Sequence, residues 1–557
     1  MKKTISYKRI ICSVALGIST ALILFYIFLP AINLQSRGFW FYLAAVIFAF
    51  SLPLYGIGFK KQEEVYQNAF GGFIRKSKKI TAEKSKLTLV LIIVTLLPIA
   101  VVILGSIFSS TLFFAKSYSE VITVTDSNFK EDLPETNEIT NIALMDSASA
   151  TKLGNKTLGS LVDVVSQYDV SDTYMQINYK GAPKKVANLE YVDFFKWIGN
   201  NSTGVPGMVM VDPVKSNAEY IKLKQPMIYV DSAYFNQDLE RKLRFSYPTK
   251  IFHSISFEID DDSNPYFIVS CARPQVSLFG AVDIEEVIIF NPCDGSHTLH
   301  KVEEAPAWID IVFTGDLASE KYNWHGTLAG GFFNSIVGNK GCKRTTDDFG
   351  YIALDDDVWY FTGVTSVTGD QSNIGFILSN ARTGEYKFYP VNGAEEHSAM
   401  AAAAGEVQEK GYVASFPSLA NISGQPTYIM VLKDAAGLVK LYALVNVENY
   451  SLVATGATQL EAMSAYKKLL AQNDISISES NESTSITVEN VRIAMVADVS
   501  TVYITGENGD VFKGYLEADE SLVLIRKGDS LDLKYTGTDI EGIYVITSWQ
   551  FSKATQE

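Results

Sequence analysis

Residues 87–115, LTLVLIIVTLLPIAVVILGSIFSSTLFFA, carry no charged side chain. At about 1.5 Å of rise per residue, a helix of this length reaches past a hydrocarbon core of about 30 Å. Lipid offers no partner for backbone N–H and C=O groups, so such a run is forced into a helix. Two more uncharged runs precede it, 10–34 and 38–59. Pro30, Pro53 and Pro98 fall inside these runs as tolerable kinks. The end of the third run, around 109–115, is expected to emerge as a stalk. A cleaved signal peptide is the competing reading of 10–34. Against it, the run exceeds the usual core of about 7–15 apolar residues, and no Ala-x-Ala-like site follows. The three helices therefore read as an anchor spanning 1–115.

Basic residues set the orientation. Lys2, Lys3, Lys8 and Arg9 precede the first run, and eight Lys/Arg lie in 60–86, whereas the turn between the first two runs holds only Arg37. The positive-inside rule puts the N-terminus and the 60–86 loop in the cytoplasm, and residues 116–557 on the extracytoplasmic side of the cell membrane. Ionisable groups at membrane depth mark transport pathways. These runs have none, so a tether is expected rather than a conduit.

Charge divides the chain. Residues 1–86 hold 13 Lys/Arg and 3 Asp/Glu, a net +10; subtracting these from the totals of 47 and 62 leaves 34 and 59, a net −25. So acidic an exterior argues against nucleic-acid partners. Four cysteines are too few for a disulfide-stapled scaffold. Cys271 and Cys293 could face each other across adjacent strands, the alternative being small buried thiols.

Beyond a polar connector at 116–140, the region 141–472 repeats itself. A helical stretch at 394–409 precedes strand-like runs at 412–419, 427–432 and 439–447. The same order runs from Asp316 (351–354, 358–364, 374–379) and from Gln237 (251–259, 266–271, 286–290), and a divergent copy around 208–211 closes on Asp212. Asp runs at 260–262 and 355–357 mark central hairpins. Asn291, Asn380 and Asn446 close the third strands, where Asn and Gly favour chain reversal. Repeats that share turns imply tandem α+β units. The α-β-β-β order with Asn380-Ala381-Arg382-Thr383-Gly384-Glu385 resembles PepSY and cystatin-like modules. Asn291-Pro292-Cys293-Asp294-Gly295 matches their turn in part, and Asn446 to Asn449 lacks the Gly. The whole chain also resembles a family of membrane-anchored proteins of Gram-positive bacteria. After a linker at 473–485, residues 486–557 show strand-like runs at 486–496, 501–505, 511–516, 521–525, 530–535 and 543–549. That spacing without helix suggests a small barrel of OB or SH3-like type. With 6 basic and 11 acidic residues in 486–553, it lacks the basic groove of a nucleic-acid binder.

Candidate chemistry is sparse. Ser149-Ala150-Thr151-Lys152 matches Ser-x-x-Lys, in which the lysine could deprotonate the serine, but no Ser-Asp-Asn accompanies it. A polar helix start is the alternative. Cys293, His297 and His300 have metal-ligand chemistry at short spacing, with alternation placing Cys293 and His297 on one face and His300 on the other. The Asp runs lack the Asp-x-Asp-x-Asp-Gly loop of a calcium site and read as solvated turns. Aromatics at 359–361 and at 386, 388 and 389 read as sheet core before binding face. No pattern implies a cofactor. The leading expectation is a non-enzymatic, membrane-tethered binding or regulatory protein of a bacterial envelope. PepSY-like modules imply a peptidase or cell-wall factor as partner. The alternatives are an envelope hydrolase with a non-local site and a structural subunit of an envelope complex.

Overall fold

Pro30 cannot continue a hydrogen-bonded helix, and Leu29 before it takes a left-handed φ of +45°. The first apolar helix, Tyr7–Phe28, therefore stops six residues before the expected end of its run. The second, Arg37–Ser51, tightens into a 3₁₀ turn, Leu52–Leu54, at Pro53. The third, Lys86–Phe108, closes before residue 115, and a separate helix, Thr111–Ser119, follows. All three are long and apolar enough to cross a membrane. The expected loop 60–86 is an antiparallel hairpin, Ile57–Gln67 with Phe73–Lys84. This computed structural model describes residues 7–55, 57–67, 73–84, 86–136, 144–354, 357–367, 372–473, 482–496, 499–516, 519–537 and 543–552. Most of the expected linker, and Asp355 and Asp356, lie outside them.

Four units follow, each a helix and then an antiparallel sheet. The first has helix Ser147–Gly159 and strands Tyr168–Val170, Met175–Tyr179, Ala182–Tyr191, Val205–Asp212 and Asn217–Met227. The second has helix Leu239–Ser246 and strands Ile251–Ile259, Pro265–Val276, Gly280–Phe290 and His297–Lys301, paired in chain order. The third, with helix Gly315–Leu328, centres on Asp357–Ser366, Ser372–Asn380 and Tyr386–Tyr389. In the fourth, helix Glu396–Glu406 leads to Ser418–Ile422, Gln425–Lys433, Val439–Asn446 and Val453–Gly456, and helix Gln459–Gln472 covers the outer face.

The sheets bury apolar residues in pairs. Sheets one and two share a core that includes Val186, Met208, Phe267 and Phe290. Sheets three and four share another, with Phe361, Phe376, Tyr428 and Met430. In the fourth sheet Tyr428, Met430 and Leu432 face that shared core, while Ile429 and Val431 face Tyr466 and Leu470 of the covering helix. Burial on both faces explains why residues 427–432 read as a continuous apolar run without alternation.

One turn recurs between the last two strands of each unit. Asn380 Oδ1 accepts from Arg382 N and Thr383 N, both at 2.9 Å, and Gly384 supplies φ +73°. Asn291 Oδ1 accepts from Cys293 N at 2.9 Å, with Gly295 at φ +76°. Asp212 and Asn446 cap the corresponding turns, accepting from Lys215 N (2.8 Å) and Asn449 N (2.7 Å). The next residue then ties the turn to the chain entering the same unit's helix. Pro292 O accepts from Ile228 N and Tyr229 N, Ala381 O from Val312 N and Phe313 N, and Val447 O from Ala394 N.

The polar connector is woven into the units. Val124–Asp126 adds a parallel strand beside Tyr386–Phe388, Glu135 bridges to Asn421, and Phe129 and Leu133 enter the core between sheets three and four. The C-terminal strands Glu482–Val496, Val499–Gly506, Val511–Tyr515, Ser530–Gly537 and Ile543–Phe551 close into a barrel. The expected strand at 521–525 is instead a 3₁₀ helix, Glu520–Leu524, because Asp519 caps its first turn through Ser521 N at 3.0 Å.

The anchor meets the second unit directly. The turn after the first helix is held by Ile32 N to Pro248 O (2.7 Å) and Asn33 Nδ2 to Thr249 O (3.0 Å). At the exit of the third helix, Ser109 Oγ accepts from Leu278 N and Phe279 N, both at 3.1 Å. The two helix ends on the domain side are thus fixed to one module.

Candidate functional site

Ser149 lies in the first turn of helix Ser147–Gly159, whose cap Asp146 accepts from Ser149 N at 2.8 Å. Lys152 does not turn back on it. Its ammonium donates to Ala436 O at 3.0 Å. The cation that reaches the serine comes from the fourth unit: Lys433 Nζ lies 2.8 Å from Ser149 Oγ and is ion-paired with Asp146. Burial opposes ionisation of Asp146, but the bonds from Lys433 and Ser149 outweigh it and hold that carboxyl below its usual range. Lys433 Nζ donates to Ser149 Oγ, the reverse of the hydrogen bond through which a base takes a serine proton. As built, the trio is a clamp between units one and four. Sequence reasoning missed Lys433; a lysine closing the apolar run 427–432 was the available signal.

Cys293 and His297 are not brought together. The Cys293 thiol points to Gln225 O at 3.1 Å, and His297 Nδ1 meets Tyr247 Oη at 2.8 Å. Cys293 belongs to the turn and His297 begins the strand, so strand alternation does not extend across the pair. His300 meets Thr298 Oγ1 at 2.9 Å. Among the described residues, no three His, Cys, Asp or Glu side chains group as metal ligands.

The Cys271–Cys293 pairing is corrected: both are free thiols. Cys271 stands opposite Glu286, and the strand runs on to Phe290 before the turn that holds Cys293, so at about 3.4 Å per residue that turn begins roughly 14 Å along the sheet from Cys271. Burial pushes the two thiols up to about 12 and about 11. Asp260 caps its own hairpin through Asp262 N (3.0 Å) and Asn264 N (2.8 Å). Trp359, Tyr360, Phe361, Tyr386, Phe388 and Tyr389 are all buried, as sheet core.

The buried ionisable groups collect where units meet. Lys185 of the first unit lies buried, 5.5 Å from the centre of the Tyr351 ring in the third, and burial pushes its ammonium down to about 8. Glu258 of the second unit is fully buried and accepts from Asp310 N (2.8 Å) and Ile311 N (3.0 Å) at the entry to the third. Burial raises its carboxyl to about 7 against those bonds. Between the third and fourth units, Glu396 Oε1 accepts from Gly363 N at 2.6 Å, and burial raises its pKa too. Lys321, also buried, pairs with Asp283 of the second unit at 2.5 Å. Sequence reasoning named none of these; an ionisable residue flanked by apolar ones, as Glu258 is by Phe257 and Ile259, was the signal.

A cavity of about 130 Å³ adjoins Tyr351, lined also by Gln176, Leu133, Ser418 and Asn421. Pockets for drug-sized ligands run to roughly 300–1,000 Å³. This one suits a few waters or a very small ligand. On the barrel, Asp532 accepts from Ser485 Oγ and Ser552 Oγ, both at 2.7 Å, along an open polar groove. Comparison with known proteins finds no family model and no curated protein that matches the chain.

Proposed function

We propose that this protein is a membrane-tethered binding or regulatory protein of the bacterial envelope, with its N-terminus in the cytoplasm and residues 116–557 outside. The observation that carries the reading is the way the tether enters the domain: the helix ends are hydrogen-bonded to the second unit, and the chain leaving the third helix becomes a strand of the third. The units are thereby presented as a fixed platform at the membrane surface. Each unit's helix and antiparallel sheet, closed by the recurrent Asn or Asp turn, supports the resemblance to PepSY modules, and the five-stranded closed barrel supports an OB or SH3-like one. On that resemblance, the partner is an envelope peptidase or cell-wall factor. Crosslinking of the full-length protein in intact cells, read by mass spectrometry, should recover one enriched envelope protein. Recovery of this chain alone would count against the reading.

One second reading is an envelope hydrolase, which would need Lys433, 2.8 Å from Ser149 Oγ, to leave Asp146 and accept the serine proton. A serine-reactive or β-lactam probe tests it. Labelling abolished by Ser149→Ala would support hydrolysis, and absence of labelling would remove it.

A further inference from the structure

The outer domain carries exposed aromatic and aliphatic side chains on the side where the anchor enters. In the short helix Phe194–Asn200, Phe195 is 78% exposed, and Ile198 beside it is also exposed. Phe235, 55% exposed at a left-handed φ of +55°, stacks near Trp197 with ring centres 5.7 Å apart. This patch is continuous with the first apolar helix. Arg241 donates to Phe235 O at 2.7 Å and to Tyr26 O at 3.3 Å, and its guanidinium lies 4.4 Å from the Tyr26 ring centre. Phe245, exposed as well, meets Phe25 edge-to-face at 5.4 Å. Phe25 and Tyr26 belong to the last turn of that helix, so Phe245 and Arg241 stand at the depth where the helix leaves the hydrocarbon.

A second patch flanks the other exit. Phe108 and Phe113, on either side of the break after the third helix, are exposed with ring centres 5.5 Å apart. Helix Gly315–Leu328 packs Trp324 on Tyr118 (5.1 Å between ring centres) and Leu328 in the same cluster. In the segment that follows it, Phe333 and Val337 are 76% and 81% exposed, with Ile336 beside them. Scattered apolar side chains need no explanation, but grouped ones do. Aromatic rings are favoured at the headgroup level, where one end is apolar and the other wet.

We infer that the two patches insert into the extracytoplasmic leaflet of the bilayer that the three helices cross, seating the outer domain on the lipid surface. The occupant is lipid because the first patch touches the last turn of the first membrane helix through Arg241 and Phe245, and the second groups the exit of the third with the segment that follows a helix packed on Tyr118. Arg241 suits this level: its charge caps an end carbonyl of the helix while its stem lies along apolar surface. The inference rests on the membrane reading above, and the test separates the two.

Nitroxide labels would be placed in the full-length chain, reconstituted in phosphatidylcholine–phosphatidylglycerol vesicles. One is at Ile18→Cys, exposed near the middle of the first helix; the others are at Phe195→Cys, Phe333→Cys and Asn508→Cys, each in a Cys12→Ser background. Collision rates with oxygen, which partitions into lipid, and with a water-soluble nickel chelate give the depth of each. The oxygen-to-chelate ratio at 195 and 333 should be several-fold above that at 508, and below that at 18. A ratio at either position equal to that at 508, with position 18 lipid-exposed, overturns the seating and leaves the membrane reading standing. A chelate-exposed position 18 overturns both.

Discussion

At the scale of single residues, Asn380 shows how much of a unit rests on one side chain. Buried, it accepts two backbone N–H groups of its turn and donates to Asp357 Oδ2 at 2.8 Å, beside the Arg382–Asp357 pair. Asn380→Ala leaves the two backbone N–H groups unpaired while Asp357 keeps Arg382, at a cost of about 1–3 kcal/mol. Amide hydrogen exchange at Arg382 and Thr383 should accelerate, and unchanged protection would show that the turn holds without it. Glu258 gives a pH signature. Its carboxyl titrates near 4.5 when unfolded and at about 7 in the fold, raised by burial. The folded state then binds more protons between those values, so its contribution to stability is complete below about 4.5 and is lost as pH rises to about 7. Glu258→Gln should flatten that slope in melting temperatures taken across the window. It should also lower the overall level, because an amide group would face one of the two backbone donors. A slope identical to that of the parent protein would refute the assignment.

Among elements, the hairpin of Pro265–Val276 and Gly280–Phe290 meets the exit of the third helix. Its turn admits no side chain at Gly280, where a Cβ would lie 2.5 Å from Ser109 O and 2.4 Å from Tyr118 Oη. Tyr118 Oη donates to that same carbonyl at 2.6 Å. Gly280→Ala should therefore push the hairpin off the helix exit, costing about 1–3 kcal/mol as an overpacked contact does. Limited proteolysis would read it as cleavage near 276–281 at protease levels that spare the parent. Elements of this kind were legible in part. The charge-free runs and the Asn-closed strands announced the apolar helices and the second, third and fourth sheets, because lipid and a two-sided core leave few alternatives. Local sequence could not show that Phe129 and Leu133 would leave a polar stretch for a distant core, since that burial is decided by the chain they meet. Nor could it show Lys433 reaching Ser149, or a 3₁₀ turn displacing the strand at 521–525 through one capping aspartate. Candidate-site residues that depend on side chains 284 positions apart have no local signature.

For the whole molecule, the number of crossings and the contacts at the helix ends act together. The turn after the first helix and the exit of the third are both bonded to the second unit, so both lie on the domain side. The hairpin Ile57–Gln67 with Phe73–Lys84 connects the far ends of the second and third helices; if the three helices cross a bilayer as proposed, it lies on the opposite side with the start of the first. The Lys/Arg of the short flanks then favour one orientation: twelve precede the first run or lie in 60–86, against Arg37 alone in the turn between the first two runs. A membrane-impermeant thiol reagent on intact cells should label Asn508→Cys in a Cys12→Ser background and leave Thr81→Cys unlabelled until the membrane is permeabilised. Cys271, Cys293 and Cys342 are buried and should contribute little signal. The reverse pattern would turn the tandem units toward the cytoplasm and remove envelope peptidases and cell-wall factors as partners. Labelling of both sites in intact cells would mean that the three helices do not hold hairpin and barrel on opposite sides of one bilayer.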